Sequence, residues 1–185
     1  MRHLQTNAFC ACCSGLLHRP LGRRALLRGG GAAAAILAAG PRLARAASGK
    51  YEAMILTCID PRVQEPVHAY AEKRKLTGQY SQFIVAGAAI GVVAPAFAKW
   101  HETFWDNLKV SVDLHGIESV IAIDHRDCGA AKIAYGAEKV ANADIETATH
   151  RAAMMEFRTQ VGARHPTLKV EAMLMALDGS VTTFT

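Results

Sequence analysis

From Tyr51 onward, apolar residues fall in short bursts separated by longer amphipathic stretches, a pattern of strands alternating with helices. Ala53-Met54-Ile55-Leu56-Thr57 predicts a strand buried on both faces, because polar residues do not alternate within it. Gln82 to Gly87 predicts a second strand ending at glycine, Val120 to Ile123 a third and Leu168 to Ala176 a fourth. Asp178-Gly179 turns into a short terminal strand from Val181 to Phe184. Helices are predicted over 66–76, with Pro66 in the first turn, over 96–114 and over 129–135. A further helix is predicted over 144–163, with Asp144 favourable near its N-terminus. Trp100, Phe104, Leu108 and Ser111-Val112 recur at helical spacing, as a core or dimer face does. The expected fold class is α/β, a mostly parallel sheet of four to five strands flanked by helices, with ligands at the carboxyl ends of the strands.

Charge divides the chain. Residues 1–47 carry seven arginines and no lysine or acid, so 14 of the 21 basic residues remain beyond them against all 16 acids. The body is therefore mildly acidic, which argues against a nucleic-acid binder. In the first segment, Arg23-Arg24-Ala25-Leu26-Leu27 precedes an alanine-rich run from Gly29 to Gly40 that is too short for a stable membrane anchor. Ala44-Arg45-Ala46 has the small-x-small form of a signal-peptidase site. Residues 1–47 are thus expected to be a cleaved export signal of twin-arginine type, handled by that export machinery and cut near 46–48. Residues 48–185 are expected to be one catalytic domain, periplasmic or secreted. Cys10, Cys12 and Cys13 leave with the signal and receive no role.

Cys58 and Cys128 remain in the body, as a metal pair, one disulfide or two buried thiols. Their neighbours favour the metal. Cys58-Ile59-Asp60-Pro61-Arg62 follows the first predicted strand, and His125-Arg126-Asp127-Cys128-Gly129 follows the third. Two thiolates and an imidazole make a zinc-type ligand set, and three protein ligands leave a fourth position for water. Asp60 and Arg62 are spaced to share one side of an extended segment, where Asp60 pairs with Arg62 or turns to the metal. Asp124, beside the histidine, either accepts a hydrogen bond from His125 or caps a local turn. Lys73-Arg74-Lys75 reads as a solvated helix end, and His68, His101, His115, His150 and His165 as ordinary surface or core residues.

Cys-x-Asp-x-Arg after the first strand, with His-x-x-Cys-Gly after the third, resembles the signature of the β-class carbonic anhydrases. Ala86-Gly87 resembles the small-residue segment of that family's pocket. The resemblance implies one zinc ion per chain on Cys58, His125 and Cys128, with Asp60 as a fourth ligand in some resting states. It implies Asp60 and Arg62 as catalytic residues, and Gly87 and Gly129 against the substrate. It also implies reversible hydration of carbon dioxide to bicarbonate, and a homodimer or higher assembly. Several positions depart from the family. Asp124 replaces a glycine, Ile84 and Val85 replace an arginine–asparagine pair, Pro61 stands where serine or alanine is usual, and the N-terminal helical arm is missing. The more apolar pocket mouth keeps open hydrolysis of carbonyl sulfide or carbon disulfide. A zinc-binding protein that has lost catalysis is the other alternative. A thiol redox role is disfavoured, because Cys58 and Cys128 lack Cys-x-x-Cys spacing.

Overall fold

The computed structural model describes residues 49–185. The expected export signal and its expected cleavage site near 46–48 lie outside the described residues. β1 (Ala53–Thr57) is buried at every position, as its unbroken apolar run requires. It lies between β2 (Tyr80–Ile84) and β3 (Ser119–His125). β4 (Lys169–Met175) and β5 (Val181–Phe184) complete a sheet of order β2-β1-β3-β4-β5. The first four strands are parallel, and only β5 runs antiparallel, returning from β4 through the Asp178-Gly179 turn. The register sets Thr57 beside both Ile84 and Ile123, so β1 and β2 end together while β3 runs two residues further to His125.

Side chains alternate across this sheet. Met54, Leu56, Val120, Ala122, Ala172 and Leu174 face one core; Ile55, Ile121, Ile123 and Met173 face the other. The first core is covered by α3 (Ala98–His115) and α5 (Ala143–Arg164). There Phe104 meets Phe83 and Phe157 with ring centroids 5.3 and 5.6 Å apart. The second core is covered by α1 (Gln64–Lys73), through Val67 and Ala71. Phe104, Leu108 and Ser111 are buried as the helical stripe predicts, but Trp100 stacks on Phe97 at the protein surface.

Three elements differ from the sequence expectation, the first being β2, which starts at Tyr80 and ends at Ile84 instead of running on to Gly87. A short helix, α2 (Ala89–Val93), and a 3-10 turn (Pro95–Phe97) precede α3. The Ala-Ile-Gly-Val-Val run of α2 has no period that separates a short buried helix from a strand. Gly91 lets this helix lie close on the Ala86 carbonyl, which a Cβ would strike. Arg74 is more than a solvated helix end. It holds Glu171 of β4 through two nitrogens at 2.8 and 3.0 Å and donates to the Tyr70 hydroxyl.

Candidate metal centre

The carboxyl edge of the sheet brings the two predicted segments together. Cys58 is the first residue beyond β1, and His125 is the last residue of β3. Cys128 precedes the first turn of α4 (Gly129–Tyr135). One donor atom from each of the three lies within 4.8 Å of the others. All three side chains are buried, and both cysteines are free thiols rather than a disulfide. His125 Nδ1 lies 2.8 Å from the Arg126 carbonyl oxygen, which makes Nδ1 the protonated nitrogen. Nε2 is left with a lone pair, buried, and with no hydrogen-bond partner among the described residues. A buried acceptor without a donor is costly, and a divalent ion between Nε2 and two sulfurs would satisfy it. The donor set fits zinc.

The cluster is already polarised. The Cys58 thiol is brought down to about 4, chiefly by the hydrogen bond from Cys128 and against burial. His125 and the Gly87 amide, 3.2 Å from Cys58 Sγ, add to the effect. Cys128 is pushed up, by the same contact with Cys58 and by burial. Burial pulls His125 down, but the nearby Cys58 sulfur and its charge outweigh it, and its net shift is upward.

Asp60 and Arg62 meet as predicted, in a tighter structure than an extended strand. Asp60 caps a 3-10 turn (Pro61–Val63), and its Oδ1 accepts from the Arg62 backbone N–H at 2.9 Å. The guanidinium grips both carboxylate oxygens, at 3.0 and 2.7 Å. This hydrogen-bonded pairing brings Asp60 down to about 2. Asp60 Oδ2 lies 3.9 Å from His125 Nε2, beside the three-residue cluster and outside it. Pro61 occupies the first position of the turn, where its missing N–H costs nothing.

Three supporting residues were not apparent in the sequence. Asp127, at φ +56° in the turn between His125 and Cys128, holds the other side of Arg62 with Oδ2 at 2.6 Å. Arg62 therefore ties the Cys58 loop to the His125 loop. Glu146 of α5, 7% exposed, accepts from the Asp127 backbone N–H and from Arg126 at 2.6 and 3.0 Å. Gln64 donates to the carbonyls of Cys58 and Asp60. Sequence carries the one faint signal of Asp127, a residue type that tolerates a left-handed turn.

Asp124 requires a correction. It accepts no hydrogen bond from His125, because consecutive strand residues point to opposite faces. Burial pushes its carboxyl up, while His150 opposes the shift. Its oxygens hold the Ala89 backbone N–H at 3.0 Å and His150 Nδ1 at 2.8 Å, so it caps a turn, but a distant one. His150 is fully buried and partnered rather than generic. Gly87 stands on the Cys58 sulfur at φ +80°, whereas a Cβ on Gly129 would meet open space. A cavity of about 300 Å³ lies against Cys128 and Gly129, rimmed by Lys132, Asn142 and Glu146.

Comparison with known proteins agrees with this picture. The family described as "Putative carbonic anhydrase" matches residues 48–175. An uncharacterized protein of Rickettsia conorii is 30% identical over 128 residues, covering 69% of each chain. One from Rickettsia bellii is 28% identical over 128 residues, covering 69% of this chain and 78% of its own. Among solved structures, the β-carbonic anhydrase CafA of Aspergillus fumigatus has a TM-score of 0.51 at 15% identity, covering 87% of this chain and 89% of that one. β-Carbonic anhydrase isoform I of Trichomonas vaginalis gives 0.50 at 18% identity, covering 85% and 96%. At such identities the structural likeness is one of fold. The family match runs from the residue numbered 48 through β4 and takes in Cys58, His125 and Cys128, so the chain belongs to this carbonic anhydrase family, on a β-carbonic-anhydrase fold.

Proposed function

We propose that the chain binds one zinc ion through Cys58, His125 and Cys128 and catalyses the reversible hydration of carbon dioxide to bicarbonate. The observation that carries the reading is the buried, unpartnered His125 Nε2, grouped with two free thiols beside the Asp60–Arg62 pair. When bound, zinc supplies the Lewis acidity that ionises water near neutral pH. The chain's own residues do the rest. Arg62 keeps Asp60 ionised, and the Asp60 carboxylate accepts a hydrogen bond from the attacking water and orients it. Its grip by Arg62 favours this orienting role over that of a permanent fourth ligand. Burial of the three donors excludes competing water from the ligand atoms. The cavity at Gly129 gives a small neutral substrate room beside the cluster. Gly87 acts through Cys58.

The proposal extends to residues 1–47 as an export signal, which places the mature enzyme in the periplasm or outside the cell, and to assembly as a homodimer or larger oligomer. N-terminal sequencing of secreted protein and sedimentation test those two points. Metal analysis with stopped-flow carbon dioxide hydration tests the activity. Near-stoichiometric zinc and a rate lost in Cys128→Ser and Asp60→Asn support it. Zinc without a rate would overturn it. Ile59 and Ile84, 59% and 42% exposed at the same sheet edge, favour a second assay with carbonyl sulfide. Turnover of that substrate in place of carbon dioxide would replace the reaction and keep the site.

A further inference from the structure

The carboxylate behind the metal centre is anchored in a way the hydration reaction does not itself require. Asp124 is buried in the first core, on the opposite side of β3 from His125. A carboxylate so placed needs partners for both oxygens. Oδ1 accepts from the Ala89 backbone N–H at 3.0 Å, and Oδ2 meets His150 Nδ1 at 2.8 Å. The other His150 nitrogen has no partner among the described residues, so Asp124 is the polar anchor of that ring.

The Ala89 amide ends a strained turn. Gly87 has φ +80°, and Ala88 has φ +48° and ψ −114°, a conformation that alanine rarely adopts. Such strain persists only where surrounding contacts over-determine it. The turn is closed by Ala88 N–H on the Val85 carbonyl and Ile90 N–H on the Gly87 carbonyl, both at 3.0 Å. Asp124 adds a side-chain hydrogen bond at its Ala89 end. The turn presents the Gly87 amide to Cys58 Sγ at 3.2 Å. A continuous path therefore runs from His150 on α5 through Asp124 on β3 to the Ala89 amide, and from there along two peptide units to the Cys58 sulfur.

We propose that Asp124 and His150 are positioning residues that hold the Gly87 amide on the Cys58 sulfur and thereby set its strength as a donor. The consequence for the metal rests on the zinc reading above; the clamp on the turn does not. An N–H donor on a thiolate withdraws electron density, so a loosened turn leaves Cys58 a stronger donor and a faster nucleophile. Asp124→Ala removes both contacts. Asp124→Asn keeps an acceptor for the Ala89 amide, and His150→Gln leaves the Asp124 carboxylate intact on that amide.

The test is hydrogen exchange of the Gly87 amide by NMR in the full chain, metal-free and zinc-loaded. It is joined by the sulfur-to-cobalt charge-transfer band of the cobalt-loaded protein. Exchange at Gly87 should rise by about tenfold or more in Asp124→Ala while the Ile121 amide of the central strand stays protected. Asp124→Asn and His150→Gln should show smaller increases, and the charge-transfer band should move to lower energy in the same order. Leu108→Ala, which weakens the core away from the turn, should move neither readout selectively. Unchanged Gly87 exchange in Asp124→Ala would overturn the proposal. So would a rise no larger than that at Ile121, and if Asp124→Ala does not fold, the same outcomes are read from the other two variants. Failure of the wild type to bind cobalt or zinc would overturn the metal reading instead, while Gly87 exchange still decides the clamp.

Discussion

Gly87 and Gly129, both expected from the family resemblance to line the substrate site, sit in opposite environments, and an alanine at each separates them. Gly87 has φ +80°, where an L side chain costs roughly 1–2 kcal/mol. Its added Cβ would lie 3.0 Å from Ala130 Cβ and 3.3 Å from Ile90 Cβ. Ile90 is fully buried and Ala130 lies in the first turn of α4, so neither yields freely. Overpacking of this kind costs about 1–3 kcal/mol. Gly87→Ala should therefore destabilise the protein by about 2–5 kcal/mol, and at ~3 °C per kcal/mol this lowers Tm by roughly 6–15 °C. At Gly129 a Cβ meets nothing within 4 Å, and the residue begins a helix. Gly129→Ala should leave stability within about 1 kcal/mol of wild type, with any change favourable. Equilibrium urea unfolding of both variants, with zinc saturating and with zinc removed, measures the contrast. Equal stability of the two variants would refute the reasoning, because it would mean the turn at Gly87 relaxes without resistance.

Cys128→Ser should lower zinc affinity by more than the roughly 10–100-fold typical of outer-sphere changes, read by chelator competition, and its Tm should no longer respond to zinc. Removing zinc from wild type should lower Tm towards that variant's value. Arg62→Ala should raise the Asp60 pKa from about 2 towards the ordinary value near 4, followed by carboxyl carbon NMR. The folded-state pKa of Asp60 lies below its unfolded value, so its contribution to stability is complete above about pH 4 and fades as pH falls through about 2. In Arg62→Ala the dependence of stability on Asp60 between those limits should vanish. Glu146→Ala strips the acceptor from the Asp127 amide and from Arg126, and should cost about 1–3 kcal/mol in urea unfolding while weakening zinc binding.

Much of the fold is legible because the sheet is parallel and buried on both faces. Each of β1, β3 and β4 is then a run of apolar residues with a sharp end, and the ends are where Cys58, His125 and the Asp178-Gly179 turn stand. The short helix at Ala89–Val93 is not legible, because its state is decided outside its own sequence. The Ala86 carbonyl packs where Gly91 has no Cβ, and Asp124, 35 positions later, takes its first free amide. The residues of the candidate metal site follow the same division. Cys58, His125 and Cys128 are readable from residue type and spacing, as are Asp60 and Arg62. Glu146 is not, since nothing near it in sequence distinguishes an acid on a helix face from one aimed at the Asp127 amide. Asp124 misleads for a geometric reason: adjacency to His125 in sequence means opposition across the sheet.

The supporting contacts explain how the site can be formed before any metal arrives. Each loop that carries a donor is fastened by a side chain from another segment. Gln64 holds the carbonyls of Cys58 and Asp60, Arg62 bridges to Asp127, Glu146 holds the Asp127 amide, and Asp124 holds the turn that meets Cys58. Gln64, Glu146 and Asp124 come from α1, α5 and β3, whose apolar faces pack into the two cores, and Arg62 comes from the 3-10 turn next to Asp60. Ordering the donors is therefore a cost already met by folding of the sheet and helices, and less of the metal's binding free energy is spent on it. The substitutions that depart from the family pattern fall into two sets on this basis. Asp124 lies within the anchoring shell and acts on a ligand through backbone. Ile84 lies at the exposed end of β2 and takes no part in these anchoring contacts. The first set should show in metal affinity and spectra, the second in substrate preference at unchanged metal affinity, so the two can be separated by measuring both in the same variant.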